Sequence, residues 1–150
     1  MILVGPVYIA HPYSGDTERN VLEALQLANA ASRAGFSTIS PLQESRGRES
    51  LGEEYYIANG IAQLSVCRAA LFPEYLEPSS GCRRERAYAE SHEIWAFTAT
   101  LVDGVWRLPY SMLAWRDREL RRIEALAVTD RAATEHHAVI RVAEFQKWPL

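Results

Sequence analysis

Two serines, a glycine and a single glutamate stand close together in Ser79-Ser80-Gly81-Cys82-Arg83-Arg84-Glu85. A serine just before a helix can accept from free backbone amides, and a glycine beside it lets those amides approach a ligand closely. With Ser79 as the cap, spacings of three and four residues put Glu85 on one helix face with Gly81, Cys82, Tyr88 and Ala89. One carboxylate beside a floor of small side chains, next to an anion-binding helix start, is the layout of an active-site corner. A solvated surface helix would carry the same residues, because a lone Glu usually faces water.

The elements around this stretch read as an α/β chain. Ala69–Phe72 before it is apolar and ends at Pro73, as a strand would, and the helix after it runs to about Ser91. Val7–Ala10 is β-branched and aromatic, which predicts a buried first strand. His11-Pro12-Tyr13-Ser14-Gly15-Asp16 supplies turn residues, with Asp16 or Thr17 as the cap of a helix over 17–34. That helix sets Val21, Ala24, Leu25, Ala28 and Ala31 on one stripe, and Gly35 stops it. Phe36–Ser40, ending at Pro41, completes a right-handed βαβ unit. Gln43–Gly52 is polar and reads as a mobile loop, and Glu53–Cys67 as a helix with Gly60 as its weak point. A fourth strand is expected over Ile94–Thr98. In an open parallel sheet ligands sit beyond the carboxyl ends of the strands, so residues 11–16, 41–49 and 73–85 would share one rim.

Beyond residue 98 the pattern is less regular. Asp103-Gly104 within Leu101–Trp106 is a hairpin signal, and Ser111–Leu126 reads as a helix whose charged run Arg116–Arg122 is a solvated face. His136–Phe145 fits strand or helix, and adjacent His136 and His137 read as a surface turn. The 150 residues are 48% apolar with a net charge of −3, which predicts one domain with a real core and no general affinity for nucleic acid or membrane. Its core would be residues 7–98 and its extension 99–150. The longest apolar runs are far short of a membrane span, and the first ten residues look like a strand rather than a secretory leader. Cys67 and Cys82 are too few for a disulfide framework, which suits a reducing cytoplasm. The histidines form no metal-ligand motif, and Lys147, the single lysine, argues against Schiff-base chemistry. No cofactor or metal is expected.

Several of these segments together resemble the nucleoside 2-deoxyribosyltransferase-like superfamily, nearest to its small bacterial and phage members. They are Tyr8-Ile9-Ala10-His11-Pro12-Tyr13-Ser14-Gly15, the helix ending in Ala34-Gly35, Ser40-Pro41, and Ser79–Glu85, in matching order over residues 7–98. The resemblance implies a flavodoxin-like or Rossmann-like sheet, a homodimer or larger homo-oligomer, and cleavage of the N-glycosidic bond of a nucleoside or nucleotide. Glu85 matches the glutamate nucleophile, which would form a covalent glycosyl-enzyme through an oxocarbenium-like transition state. Ser79 stands where nucleotide hydrolases of the group use a serine on the 5′-phosphate, and where members acting on free nucleosides carry an acid. A hydroxyl donates to phosphate without charge repulsion, so a nucleoside 5′-monophosphate is the expected substrate, unless Ser79 is only a cap. Tyr13, Ser14 and the amides around Gly15 match a second phosphate-contacting loop, and Tyr8, Ala10, His11, Pro12 and Gly81 complete the expected substrate-binding set.

The chain departs from the pattern in places that bear on proton transfer. Where the group carries an aspartate on the helix before the third strand, this chain offers Asn59 or Gly60, and Arg68 replaces a second Asp. Asn59 can hydrogen-bond a base but cannot protonate it, which leaves Glu53 or Glu54 as substitutes. Arg83 and Arg84 replace smaller residues, and His11, where glycine is frequent, would either crowd the pocket or act as acid/base. Two functions are therefore expected: glycosidic cleavage or sugar transfer through Glu85, or binding of a nucleotide with weak or no turnover.

Overall fold

The computed structural model describes residues 1–44, 49–76 and 79–145, with side chains of residues 43, 44, 49 and 131–145 left aside. The order of elements is β1 (Val4–Ile9), α1 (Thr17–Arg33), β2 (Phe36–Ile39), α2 (Pro41–Glu44), α3 (Glu53–Ser65), β3 (Ala69–Pro73), α4 (Ser80–Ser91), β4 (Trp95–Val102), β5 (Val105–Arg107) and α5 (Tyr110–Phe145). Among the described residues the strands form one mixed sheet in the order β2-β1-β3-β4-β5. β1 runs parallel to β2 and β3, β3 runs parallel to β4, and β5 returns antiparallel to β4.

Local chemistry accounts for most of the boundaries. Asp16 caps α1 by accepting from the Arg19 amide, and Gly35 leaves the helix at φ 91°. Ser79 caps α4 by accepting from the Cys82 amide at 3.2 Å. Asp103 and Gly104 both take positive φ between the paired Val102 and Val105, the backbone that a two-residue hairpin turn requires. β1 begins earlier than its apolar run suggests, because the β1–β2 register shifts between Val4 and Val7, which accommodates Pro6 inside a central strand.

Strand alternation divides the core between two faces. Tyr8, Ala10, Ala70 and Phe72 point to the face covered by α3 and α4, where they join Leu64, Cys67, Leu76, Cys82 and Ala89. On the other face Trp115 of α5, only 2% exposed, stacks on Phe36 at 6.0 Å and tilts against Phe97 at 5.9 Å. Arg116 anchors the same turn by donating to the Ala34 carbonyl at the end of α1.

Several sequence expectations are corrected. Leu25 lies 41% exposed and Leu27 is fully buried instead, so the core stripe of α1 keeps Ala24, Ala28 and Ala31 but has its edge on the side of Glu23 and Leu27 rather than of Val21 and Leu25. Part of the expected loop at 43–52 is ordered as the end of α2 and a 3-10 turn over Glu49–Leu51, while Ser45–Arg48 lie outside the described residues. β4 extends to Val102 because it must pair with both β3 and β5. His136 and His137 fall within α5 rather than in a surface turn, which also decides for helix over strand at residues 136–145. The chain forms two compact units, Met1–Arg116 and Asp117–Leu150; the first holds the sheet and the second the remainder of α5. No helix among the described residues is long and apolar enough to cross a membrane.

Truncating Trp115 to Ala removes the ring that fills the space between Phe36 and Phe97. The expected loss is about 3–5 kcal/mol of unfolding free energy in a urea titration, and a loss below about 1 kcal/mol would contradict this packing.

Candidate active site

β1 connects through α1 to β2 on one side, and β2 connects through α3 to β3 on the other. The connections therefore part between β1 and β3, and a crevice opens at their carboxyl ends. A cavity of about 340 Å³ occupies that crevice, the size expected of a small-molecule site. His11, Tyr13 and Ser14 of the β1–α1 loop form one wall, and Pro41 and Leu42 of α2 another. The first turns of α3 and α4 face each other across the mouth.

Glu85 sits inside this cavity and accepts a 2.6 Å hydrogen bond at Oε1 from the Tyr8 hydroxyl. The residue as a whole is half-buried because it borders the cavity, yet its carboxyl group is enclosed by protein. That enclosure disfavours the ionised form and pushes its pKa up to about 7, although the Tyr8 hydrogen bond pulls the other way. The Tyr8 phenol is itself raised, by burial first and then by the neighbouring carboxylate, so it remains a donor.

Gly60 of α3 makes this pair possible. A Cβ on residue 60 would lie 2.7 Å from Glu85 Oε1 and 2.7 Å from the Tyr8 hydroxyl, inside van der Waals contact with both. Glu53, Tyr56, Ile57 and Gly60 follow i, i+3, i+4, i+7 spacing, so one stripe of α3 faces the cavity from its rim to Glu85. The glycine that weakens α3 as a helix is the residue that admits the carboxylate.

The start of α4 supplies neutral polar groups. Ser79 is 8% exposed and its Oγ accepts from the Cys82 amide, while Ser80 Oγ donates to Glu53 Oε1 at 3.5 Å. Cys82 lines the cavity as an un-ionised thiol, since burial and then Glu85 push its pKa up to about 12. Tyr13 and Tyr56 stack at 5.9 Å with 29° between their planes, an aromatic pair at the cavity wall.

A second cluster locks the loops that carry these groups. His11 Nδ1–H donates to the Pro12 carbonyl at 3.1 Å, and Nε2 lies 3.2 Å from the Tyr75 hydroxyl. Tyr75 donates in turn to Glu23 of α1, which also accepts from Arg19 Nε at 2.8 Å. Burial lowers the His11 pKa, and the Pro12 carbonyl and Glu23 offset this only in part. Burial alone would raise Glu23, but the hydrogen bonds from Tyr75 and Arg19 outweigh it and leave it lowered. Trp106 of β5 packs edge-on to the His11 ring at 6.3 Å. His11 Nδ1 is thus held by the Pro12 carbonyl while Nε2 faces the Tyr75 hydroxyl and lies 3.5 Å from Glu23 Oε2, and the network ties the β1–α1 loop to the β3–α4 loop.

The residues singled out in the sequence divide accordingly. Tyr8, His11, Tyr13, Ser14, Ser79, Gly81 and Glu85 all line the cavity. Ala10 lies in the core beneath it, Pro12 contributes its carbonyl to His11, and Gly15 stands in open space outside. Asn59 does not line the cavity, because one step of about 100° turns it off the stripe that carries Gly60. Arg83 and Arg84 are exposed, and Arg84 lies 3.6 Å from Glu54. Tyr56, Ile57 and Tyr75 were not in the expected set, and Gly60 was offered only beside Asn59 as the position of a missing acid; the i, i+3, i+4, i+7 spacing with Glu53 was the signal for Gly60, Tyr56 and Ile57. Among the described residues, no group of three or more His, Cys, Asp or Glu could hold a metal ion.

Two measurements test this geometry. Because folding raises Glu85 from 4.5 to about 7, its contribution to stability is fully present below about pH 4.5 and is lost as pH rises through 7. Glu85→Gln keeps an acceptor for Tyr8 and removes the titration. Relative to this variant, the parent should lose stability from about pH 5 to about pH 8 by at most about 3 kcal/mol, less to the extent that the cavity admits water. A flat difference in urea titrations would refute a buried Glu85 carboxyl. Gly60→Ala should still fold, since α3 gains about 1 kcal/mol of helix propensity. Its Glu85 carboxyl, followed by carbon-13 NMR, should titrate at a midpoint different from the parent's; an identical midpoint would mean that the contact does not exist.

No protein-family model matches the chain, and the comparisons with curated proteins and with solved structures likewise gave no match.

Proposed function

We infer that the protein cleaves the N-glycosidic bond of a nucleoside or nucleoside 5′-monophosphate with Glu85 as nucleophile, by hydrolysis or by passing the sugar to a second base. The observation that carries this reading is a lone enclosed carboxylate, oriented by Tyr8, in a cavity at the sheet's topological switch point. Supporting it is the strand order 2-1-3-4-5, which flavodoxin-like sheets also use, although β5 is antiparallel in this chain.

Tyr8 engages Oε1 and leaves Oε2 as the oxygen free to attack the anomeric carbon. As the bond to the base lengthens, positive charge grows on the sugar, and an ionised carboxylate kept out of bulk water stabilises that charge strongly. The Tyr13–Tyr56 pair offers ring faces on which a planar base can stack. A 5′-phosphate would draw on the first-turn amides of α4 and on the Ser79 hydroxyl, whose proton is left to donate, since no Arg or Lys lines the cavity among the described residues. A second reading, a nucleotide-binding protein without turnover, rests on the turn that abuts Glu85, which carries Gly60 rather than an acid.

Incubation with a panel of ribo- and deoxyribonucleosides and their 5′-monophosphates should release free base from at least one member. Glu85→Ala should lower that release by at least about a thousand-fold while ligand binding persists. Turnover should rise with pH through about 7 as the nucleophile ionises. Binding without base release in the parent protein would favour the second reading, and neither binding nor release would discard both.

A further inference from the structure

Glycosidic cleavage leaves an electron pair on the departing base, and an uncharged base needs a proton to carry that pair away. Among the described residues the cavity wall holds no group placed to give one. Tyr8 donates to Glu85, and burial pushes its phenol further from neutrality. His11 turns Nδ1 to the Pro12 carbonyl and Nε2 to Tyr75 and Glu23. Burial and then Glu85 push the Cys82 thiol up to about 12. Glu53 stands at the rim, exposed to solvent, and Asn59 is off the wall. The other side-chain O–H groups there belong to Ser and Tyr, which are weak acids near neutral pH.

The same wall is well provided with negative charge and ring faces. Its carboxyl groups are Glu85 at the inner end and Glu53 at the rim, and no Arg or Lys lines it among the described residues. Tyr8 holds Glu85 Oε1 and leaves Oε2 to the cavity. Tyr56, between the two ends on the α3 stripe, stacks on Tyr13 at 5.9 Å. The face of a tyrosine ring is electrically negative and attracts a cation. A carboxylate kept out of bulk water gains far more from a nearby positive charge than one in solution does.

Resting on the glycosidic reading, we propose that the preferred substrates are nucleosides whose base already carries a positive charge, such as a pyridinium or an alkylated purinium ring. In the first step Glu85 Oε2, as carboxylate, bonds to the anomeric carbon and the carbon–nitrogen bond breaks. Its electron pair returns to the ring, cancels the positive charge, and the base leaves neutral without a proton. In the second step a water oxygen bonds to the anomeric carbon and the ester bond breaks, returning Glu85 to carboxylate. The proton of that water passes to solvent. The cation also acts on the nucleophile, because a positive charge beside Glu85 favours its ionised form against the burial that opposes it. Tyr8 of β1 and Cys82 of α4, the titratable neighbours of Glu85, are both raised by burial and stay uncharged near neutral pH. Binding of a charged base thus readies the carboxylate for attack, which an uncharged base would not do.

The experiment uses two probes of one shape and different charge, the carbocyclic nucleosides of carbamoylpyridinium and of benzamide, neither of which can be cleaved. In calorimetry at about pH 8 the parent should bind the pyridinium probe at least about 10-fold more tightly than the benzamide probe. That ratio should narrow as pH falls to about 6 and Glu85 takes up its proton, and in Glu85→Gln it should not change with pH. Titration of His11 affects both probes alike and cancels in the ratio. Turnover is then compared on one sugar, ribose or deoxyribose. The parent's acceleration over the uncatalysed rate should be at least about 100-fold greater for the pyridinium nucleoside than for the common uncharged nucleosides. Equal acceleration of the uncharged nucleosides, or equal binding of the two carbocyclic probes at about pH 8, overturns the cationic substrate class and leaves the glycosidic reading in place. If no nucleoside of either kind is cleaved, or Glu85→Ala cleaves them as the parent does, the glycosidic reading itself falls and this proposal with it.

Discussion

The hydrogen bond from Tyr8 to Glu85 joins a central strand to a helix across 2.6 Å, and much of the first unit is arranged to keep that distance. The carboxyl group is enclosed, which alone would favour protonation; one phenol offsets part of that cost. Space for the pair comes from a neighbouring helix that presents a bare backbone at Gly60. Three elements, β1, α3 and α4, must therefore be set to within a few tenths of an ångström. The close-packed cluster of Tyr8, Leu64, Phe72, Cys82 and Ala89 beneath them supplies that rigidity.

The His11 network does a different job with similar means. It contains more groups able to carry charge than the Glu85 pair, yet it is closed on itself: each polar atom of His11 faces a protein partner. Its effect is mechanical, because it fastens the loop after β1 to the loop after β3 through α1. Those loops carry Tyr13 and Ser14 on one side and lead to Ser79 on the other. The rim thus gains order from a polar lattice, while the centre of the site keeps one carboxylate in reserve for a ligand.

Helix α3 links the two ends of the cavity. Its first turn has acidic residues where the helix dipole favours them, and its third turn has the glycine that touches Glu85. Between lie Tyr56 and Ile57, which give the wall an apolar and aromatic character suited to a flat ring. A ligand held along this stripe would meet a carboxylate at each end.

Much of the architecture is legible in the residues taken one neighbourhood at a time. The alternation of strands and helices, the Asp16 and Ser79 caps, the stop at Gly35 and the turn at Asp103-Gly104 all follow from rules spanning a few residues. Glu85 stands out for the same reason, since a serine cap and helical spacing put it beside small residues. Tertiary structure decided what those rules do not reach. Tyr8 and Glu85 are 77 positions apart, and Tyr75 and Glu23 are 52 apart, so neither partnership leaves a periodic trace. Leu27 rather than Leu25 is buried because the sheet determines which side of α1 is covered. Gly60 read locally is a defect in a helix; only the approach of a second helix and a strand makes it the space that a carboxylate needs.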